Sequence, residues 1–287
     1  MSNIVVIYHG GCWDGFCAAW LLWRKFPDAE FIPAQYGDRP PDVSGKHVYI
    51  VDFSYQRDVL VNMYSDSASL IVLDHHKTAE ADLKDLPFAK FDNSKSGARL
   101  THEYLYGSGL VNPVNWLVHY TEDRDLWNWE LVDSKAINAA LRSYPLDFEL
   151  WEKFSQYGND ELDILAAEGE AILRVEASTV AAKVEQAHIV EVPMPMDDLT
   201  VSYDASQWWS KWKVTNATTL MSETAGALAE ETGVGCCWFE FPSGERLYSL
   251  RALKDSNVDV SIMAKAFGGG GHKKAAGFKA AQHPWKA

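Results

Sequence analysis

The chain has 287 residues, 47% of them apolar, and a formal net charge of −14. That is enough apolar sequence for one large core or two smaller ones, and the negative field opposes non-specific binding to long duplex DNA while leaving short anionic substrates open. No apolar run reaches the ~18 residues that span a bilayer, the opening MSNIVVIYHG lacks the basic flank and cleavage site of a signal peptide, and Cys12, Cys17, Cys236 and Cys237 make a poor disulfide framework; the expectation is a cytoplasmic protein with reduced thiols and no membrane segment.

In chain order, Ile4–Tyr8 reads as a short β-branched strand ending in glycines. Phe16–Phe26 reads as a helix that stops at Pro27. His47–Val51 and Ser69–Leu73 are further short runs rich in Val and Ile. Strands buried on both faces and separated by helices predict a mainly parallel sheet with helices on both faces over residues 1–135. Residues 136–190 read as a helical connector, with one long proline-free helix over Glu161–Glu185. A smaller C-terminal α/β domain follows over 191–287. Its expected elements are a strand at Leu199–Tyr203 and a helix at Ser222–Thr232. Strands at Gly235–Phe241 and Arg246–Arg251 are joined by a Pro-Ser-Gly turn, and a helix at Asp259–Phe267 runs into four glycines.

Four segments of the first domain concentrate His and Asp: YHGGCWDG (His9, Cys12, Asp14), VDFSY (Asp52), LDHHKTA (Asp74, His75, His76) and TEDRDLW (Asp123, Asp125). Three of them follow a predicted strand, and in open parallel sheets the carboxyl ends of the strands line the ligand crevice. A lone aspartate at such a place is usually a turn or cap residue. A convergent set of imidazoles and carboxylates suits Mn²⁺, Mg²⁺ or Fe²⁺ better than a structural zinc. There are more carboxylates than one ion needs, so one can bridge two ions, the arrangement that activates water for attack on phosphorus. Asp74 is placed to hold an imidazole N–H and fix its tautomer.

A second constellation is FGGGGHKKAAGF, from Phe267 to Phe278. Consecutive glycines cost folding entropy and are kept where backbone must approach something closely. Bare N–H groups beside His272, Lys273 and Lys274 read as an anion-binding clamp, with Arg251 within reach at the end of the strand YSLRAL. The bland alternative is a flexible loop.

At these residues the sequence resembles the DHH phosphoesterase superfamily. LDHHKTA matches its namesake motif, and the Ser-Leu-Arg strand, GGGH and Ala-Ala-Gly-Phe match the DHH-associated C-terminal domain. The resemblance runs from Ile4 to about Phe278 and constrains the middle helices least. It implies that His9, Asp14, Asp52, His75 and Asp123 are metal ligands, with Asp52 bridging, Asp74 behind His75, and His76 facing the substrate phosphate. Asp123 is chosen for its spacing to Trp127, with Asp125 the fallback. Arg251, Gly269, Gly270, Gly271 and His272 match the substrate-holding positions. One departure stands out: the first motif of the family has two carboxylates one residue apart, and the first of those positions is Cys12 here, a softer and conditionally ionised donor.

The expected function is a Mn²⁺- or Mg²⁺-dependent phosphodiesterase, carrying two ions, that hydrolyses short oligonucleotides or dinucleotides with metal-activated water. The alternatives are a pyrophosphate or polyphosphate phosphohydrolase and a nucleotide-binding sensor weakened through Cys12. The expected partner is a short nucleic acid or nucleotide, with homodimerisation left open.

Overall fold

The computed structural model describes residues 3–107, 114–193 and 209–285. The chain divides into two compact units, Met1–Leu173 and Arg174–Ala287.

The first unit contains β1 (Ile4–His9), α1 (Trp13–Lys25), β2 (Glu30–Ala34), β3 (His47–Val51), α2 (Arg57–Asp66), β4 (Ser69–Asp74), α3 (Lys77–Leu83), β5 (Ala89–Phe91), α4 (Gly97–Tyr106), α5 (Trp116–Asp125), α6 (Ser134–Ser143), α7 (Phe148–Phe154) and the first half of α8 (Asn159–Glu185). Its five strands pair in parallel in the order β2-β1-β3-β4-β5. Successive strand residues face opposite sides, and the sequence fills both. Val5, Ile7, Val48, Ile50, Leu70 and Val72 pack with Leu60 and Met63 of α2 and Leu83 of α3. Val6, Val51 and Leu73 pack on the other side with α1, α4 and α5. This split follows from handedness: the β1–α1–β2 crossover moves one way along the sheet and the crossovers after β3 move the other, so right-handed connections place their helices on opposite faces.

The helices that follow belong to the same unit as far as Leu173. Ala136, Ile137, Ala140 and Leu141 of α6, Trp151 and Phe154 of α7, and Leu165 and Ala166 of α8 join the core built on α1. Trp151 stacks on Trp13 and Phe148 on Phe16, with ring centroids 6.1 and 4.7 Å apart. Thus the segment read as a connector from sequence is, over its first part, bound into the core of the first unit by aromatic side chains.

The second unit contains β6 (His188–Pro193), β7 (Trp209–Asn216), α9 (Met221–Thr232), β8 (Val234–Glu240), β9 (Arg246–Ala252), α10 (Val260–Lys265), β10 (Gly270–His272) and β11 (Ala275–Ala280). The sheet order is β10-β11-β9-β8-β7-β6, antiparallel except for β7–β8, whose connection is α9. Val260 and Ala264 of α10 pack with Trp212, Tyr248 and Phe278, while Ala225 and Leu228 of α9 pack with Cys237.

One element was not anticipated from the sequence and one departs from the expectation. β2 carries Pro33, which reads against a strand, but β2 is an edge strand, where a missing N–H is tolerated. The glycine loop is not a loop throughout: Gly270–His272 form a strand paired with β11. The strand expected at Leu199–Tyr203 lies outside the described residues. Among the described residues no helix is long and apolar enough to cross a membrane, and all four cysteines are free thiols.

Candidate metal centre

The sheet reverses its direction of travel between β1 and β3, and open α/β sheets bind ligands outside the carboxyl ends of the strands at such a point. His9 is the last residue of β1, Asp52 follows β3, and Asp74 ends β4 with His75 and His76 directly after it. Cys12 caps α1 and Asp14 lies in its first turn. Asp52 turns out of β3 in the left-handed region, with φ 54°, a conformation that aspartate tolerates better than most residues.

These side chains converge. His75 Nε2 lies 3.1 Å from Asp52 Oδ1, 3.5 Å from Asp125 Oδ2 and 3.6 Å from Asp14 Oδ2. His9 Nδ1 lies 3.4 Å from Asp52 Oδ2. Asp14, Asp52, Asp74 and His75 are all buried. Asp14 is held by the N-terminus of α4: Gly97 N–H donates to Oδ2 at 2.5 Å and Ala98 N–H to Oδ1 at 3.0 Å, the end of a helix that favours negative charge.

Asp74 is saturated by groups other than the His75 ring. Its Oδ1 accepts from the His75 and His76 amides at 2.7 and 3.3 Å and from His76 Nδ1 at 2.7 Å, and its Oδ2 accepts from Ser54 Oγ at 2.6 Å. Asp74 therefore fixes the tautomer and angle of His76, where the sequence had placed it behind His75.

The fourth aspartate also differs from the sequence expectation. Asp123 does not join the cluster. Its carboxylate accepts from the Glu130 amide at 2.9 Å, the Leu131 amide at 3.4 Å and Ser134 Oγ at 2.5 Å, so it ties the end of α5 to the turn before α6. That turn carries Trp127 and Trp129 at φ 58° and 57°, which accounts for the spacing to Trp127 without a metal. Asp125 is the residue that reaches His75.

Electrostatics in the cluster are dominated by burial and crowded carboxylates. Burial, then Asp52 and Asp125, push Asp14 well above the usual carboxylate range. Burial raises Asp125 too, with Asp52 adding to it against the pull of His75. Burial acts on Asp52 in the same sense, but the hydrogen bond with His75 and the imidazole of His9 nearby outweigh it and hold Asp52 well below that range. His75 is held well above an ordinary imidazole: burial opposes its charge, and Asp125, Asp52 and Asp14 overcome it. Cys12 is raised by burial and by Asp52, Asp125 and Asp14.

The donor chemistry fits divalent cations. Asp14, Asp52 and His75 present three ligand atoms within 4.8 Å of one another, as do His9, Cys12 and Asp52, and the two sets share Asp52. Asp52 Oδ2 and His9 Nδ1 are buried atoms without a hydrogen-bond partner among the described residues, though they face each other. Buried polar atoms are rarely left so unless something else satisfies them, and a cation between the two would do so.

Sequence reasoning overlooked Tyr36, two residues past β2. Its ring is 5.5 Å from His9 and 6.0 Å from His76 between centroids, and the residue is 52% exposed. Gln35 anchors the segment by donating to the Gly10 carbonyl. No motif marks the position; only the edge pairing of β2 with β1 brings it there.

In the second unit, Arg251 pairs in register with Ala275, and Ala275 with His272. Directly opposed residues share a sheet face, so Arg251 and His272 stand on one side of the sheet with a small residue between them. Arg251 donates to Ser222 Oγ at 2.6 Å and to the Leu250 carbonyl at 2.8 Å. The glycines have a reason within the fold: a Cβ on Gly269 would lie 2.1 Å from the Gly277 carbonyl, and one on Gly271, at φ 138°, would lie 2.6 Å from that of Ala275. Lys274 is engaged with the Ser256 and Val258 carbonyls at 2.5 and 3.1 Å.

This combination of a five-stranded parallel sheet and a second sheet unit is a fold shared with solved phosphodiesterase and exonuclease structures. The chain is similar to the pGpG-specific phosphodiesterase PggH from Vibrio cholerae, at 14% identity and a TM-score of 0.51 over 96% of this chain and 92% of that one. It is similar to exonuclease RecJ bound to manganese, at 15% identity and a TM-score of 0.53 over 96% of this chain and 85% of that one. RecJ from Thermus thermophilus in complex with Mn²⁺ gives 17% identity and a TM-score of 0.50 over 96% of this chain and 49% of that one. An uncharacterized protein of Acanthamoeba polyphaga mimivirus is 27% identical over 299 residues; the match covers 95% of this chain, which spans 66% of that protein's length. No protein-family profile matches the sequence.

Proposed function

We propose that the protein is a divalent-metal-dependent phosphodiesterase that hydrolyses short oligonucleotides or dinucleotides. The observation that carries this reading is the pair of donor sets sharing buried Asp52 at the point where the parallel sheet reverses. Asp14, His75 and Asp125 would hold one ion, His9 and Cys12 the other, and Asp52 both, with Mn²⁺ or Mg²⁺ as the expected cations. Bound there, paired cations supply an activated water and neutralise charge on a phosphoryl group.

The chain's own residues supply the rest. Asp74 holds His76 in one tautomer, so His76 can donate to a phosphoryl oxygen. Tyr36 offers an exposed ring face to a base, a contact indifferent to sequence. In the second unit, Arg251 and His272 on one sheet face, next to the Gly269–Gly271 backbone, are the proposed holders of substrate phosphate or base. The similar structures include a pGpG-specific phosphodiesterase and an exonuclease, which supports a nucleotidic substrate, and the net charge of −14 favours a few nucleotides over a long polymer.

The test is cleavage of an end-labelled RNA pentamer and of pGpG with Mn²⁺, beside pyrophosphate. Wild type should cleave one or both nucleotidic substrates. Loss of a partner behind a ligand typically costs 10–100-fold, so His75→Ala, which removes a ligand, should cost at least ~100-fold. Release of phosphate from pyrophosphate alone, or full cleavage by His75→Ala, would overturn the reading.

A further inference from the structure

The two donor sets that meet at Asp52 are chemically unequal. Asp14, Asp125 and Asp52 surround His75 with carboxylate oxygen, the chemistry of a hard cation. The other set is His9, Cys12 and Asp52, one imidazole, one sulfur and one shared carboxylate. Cys12 sits at the N-cap of α1 with φ −104° and ψ 134°, and its side chain makes no capping bond. It is half-buried rather than packed into the core, unlike Cys17, Cys236 and Cys237. Beside it, buried Asp52 turns Oδ2 toward His9 Nδ1, and neither atom has a hydrogen-bond partner among the described residues. A nitrogen, a sulfur and an oxygen, two of them unsatisfied, describe a site for a borderline cation, because thiolate and imidazole together select Zn²⁺ or Co²⁺ over Mg²⁺ and Mn²⁺.

We propose that Cys12 is a thiolate ligand and that the centre holds an unlike pair: a borderline cation such as Zn²⁺ or Co²⁺ at His9–Cys12–Asp52, and Mn²⁺ or Mg²⁺ at Asp14–Asp52–His75–Asp125. This rests on the two-cation reading above. As the cation binds, the Cys12 S–H bond breaks, its proton passes to water, and the sulfur electron pair forms the bond to the metal; no electron is transferred.

Co²⁺ titration of metal-stripped full-length protein tests this by absorption, without reference to activity. Wild type should develop a thiolate-to-Co²⁺ charge-transfer band in the near-ultraviolet, saturating at one equivalent and surviving excess Mn²⁺. Cys12→Ser should lose that band while keeping the visible bands of Co²⁺, and should bind Zn²⁺ at least ~10-fold more weakly; Cys17→Ser should keep the band. Cys12→Asp, which restores an oxygen donor, should fold, lack the band, and shift preference toward Mn²⁺. Co²⁺ binding with no such band in wild type, or a band that persists in Cys12→Ser, overturns the proposal and leaves the metal centre standing. Absence of any Co²⁺, Zn²⁺ or Mn²⁺ binding overturns both.

Discussion

Asp123 and Asp125 are separated by one residue and by about 200° around α5, since each helical residue turns ~100°. The rotation gives them different partners: Asp123 closes the turn before α6, and Asp125 faces His75. Removing the Asp123 carboxylate strands two amides and a hydroxyl, so Asp123→Ala should lower unfolding free energy by about 1–3 kcal/mol in urea while metal stoichiometry in calorimetry stays at the wild-type value. Asp125→Asn should do the reverse, keeping stability and weakening Mn²⁺ binding at least ~10-fold. The opposite pattern would return the ligand role to Asp123. Tyr36 allows a separate check on substrate. If its ring stacks on a base, Tyr36→Ala should raise KM for a dinucleotide about 10-fold, within the energy of one stacking contact, and leave hydrolysis of bis(p-nitrophenyl) phosphate unchanged.

Two elements are shaped by close approach rather than by propensity. The N-terminus of α4 reaches Asp14 only because Gly97 lacks a side chain: a Cβ there would lie 2.6 Å from Asp52 Cβ and 3.0 Å from Asp14 Oδ2. Gly97→Ala should therefore displace both proposed ligands at once, with a cost of about 1–3 kcal/mol for overpacking and a measurable fall in Mn²⁺ affinity although circular dichroism stays native-like. Unchanged affinity would show that α4 does not set the ligand geometry. In the hairpin β10–β11 the same logic applies without a metal. Gly271→Ala meets the Ala275 carbonyl at a strained φ, so it should destabilise the second unit by about 1–3 kcal/mol and leave the Mn²⁺ stoichiometry of the first unit intact.

For the molecule as a whole, the cluster links stability to pH and, if it holds the proposed cations, to their concentration. Asp14 and Asp125 ionise above the usual carboxylate range, so in the metal-free protein their charged forms oppose folding once pH passes ordinary carboxylate values. His75, raised, contributes stability below the unfolded imidazole value of ~6.5 and loses it as pH climbs through the folded one. Asp52, lowered, contributes above the unfolded value and loses it only in acid. A cation bound at the proposed site would relieve or replace all of these. Mn²⁺ should raise Tm, with about 2.7 kcal/mol of stabilisation at one hundred times Kd, and the gain should grow from pH 6 to pH 8 as protons on His75 compete less with the cation. Scanning calorimetry with and without chelator measures this; a gain that shrinks over that range would contradict the assignment of His75.

Much of the first unit was written locally. Ile4–Tyr8, His47–Val51 and Ser69–Leu73 are short β-branched runs that read as buried strands and fall on β1, β3 and β4, and the proline-free stretch at Glu161–Glu185 matches α8 within two residues at its start. The set Asp-His-His at the end of β4 announced chemistry for the same reason, since three such residues in a row after a buried strand have little structural use. What consecutive residues could not carry is which side chain meets which. Asp125 in place of Asp123, Asp74 on His76 in place of His75, Tyr36 beside His9, and glycines fitted against β11 all depend on helix rotation and strand register between distant segments. Those are fixed only when both faces of the sheet are packed, because the burial of many apolar side chains outweighs the preference of any one polar pair.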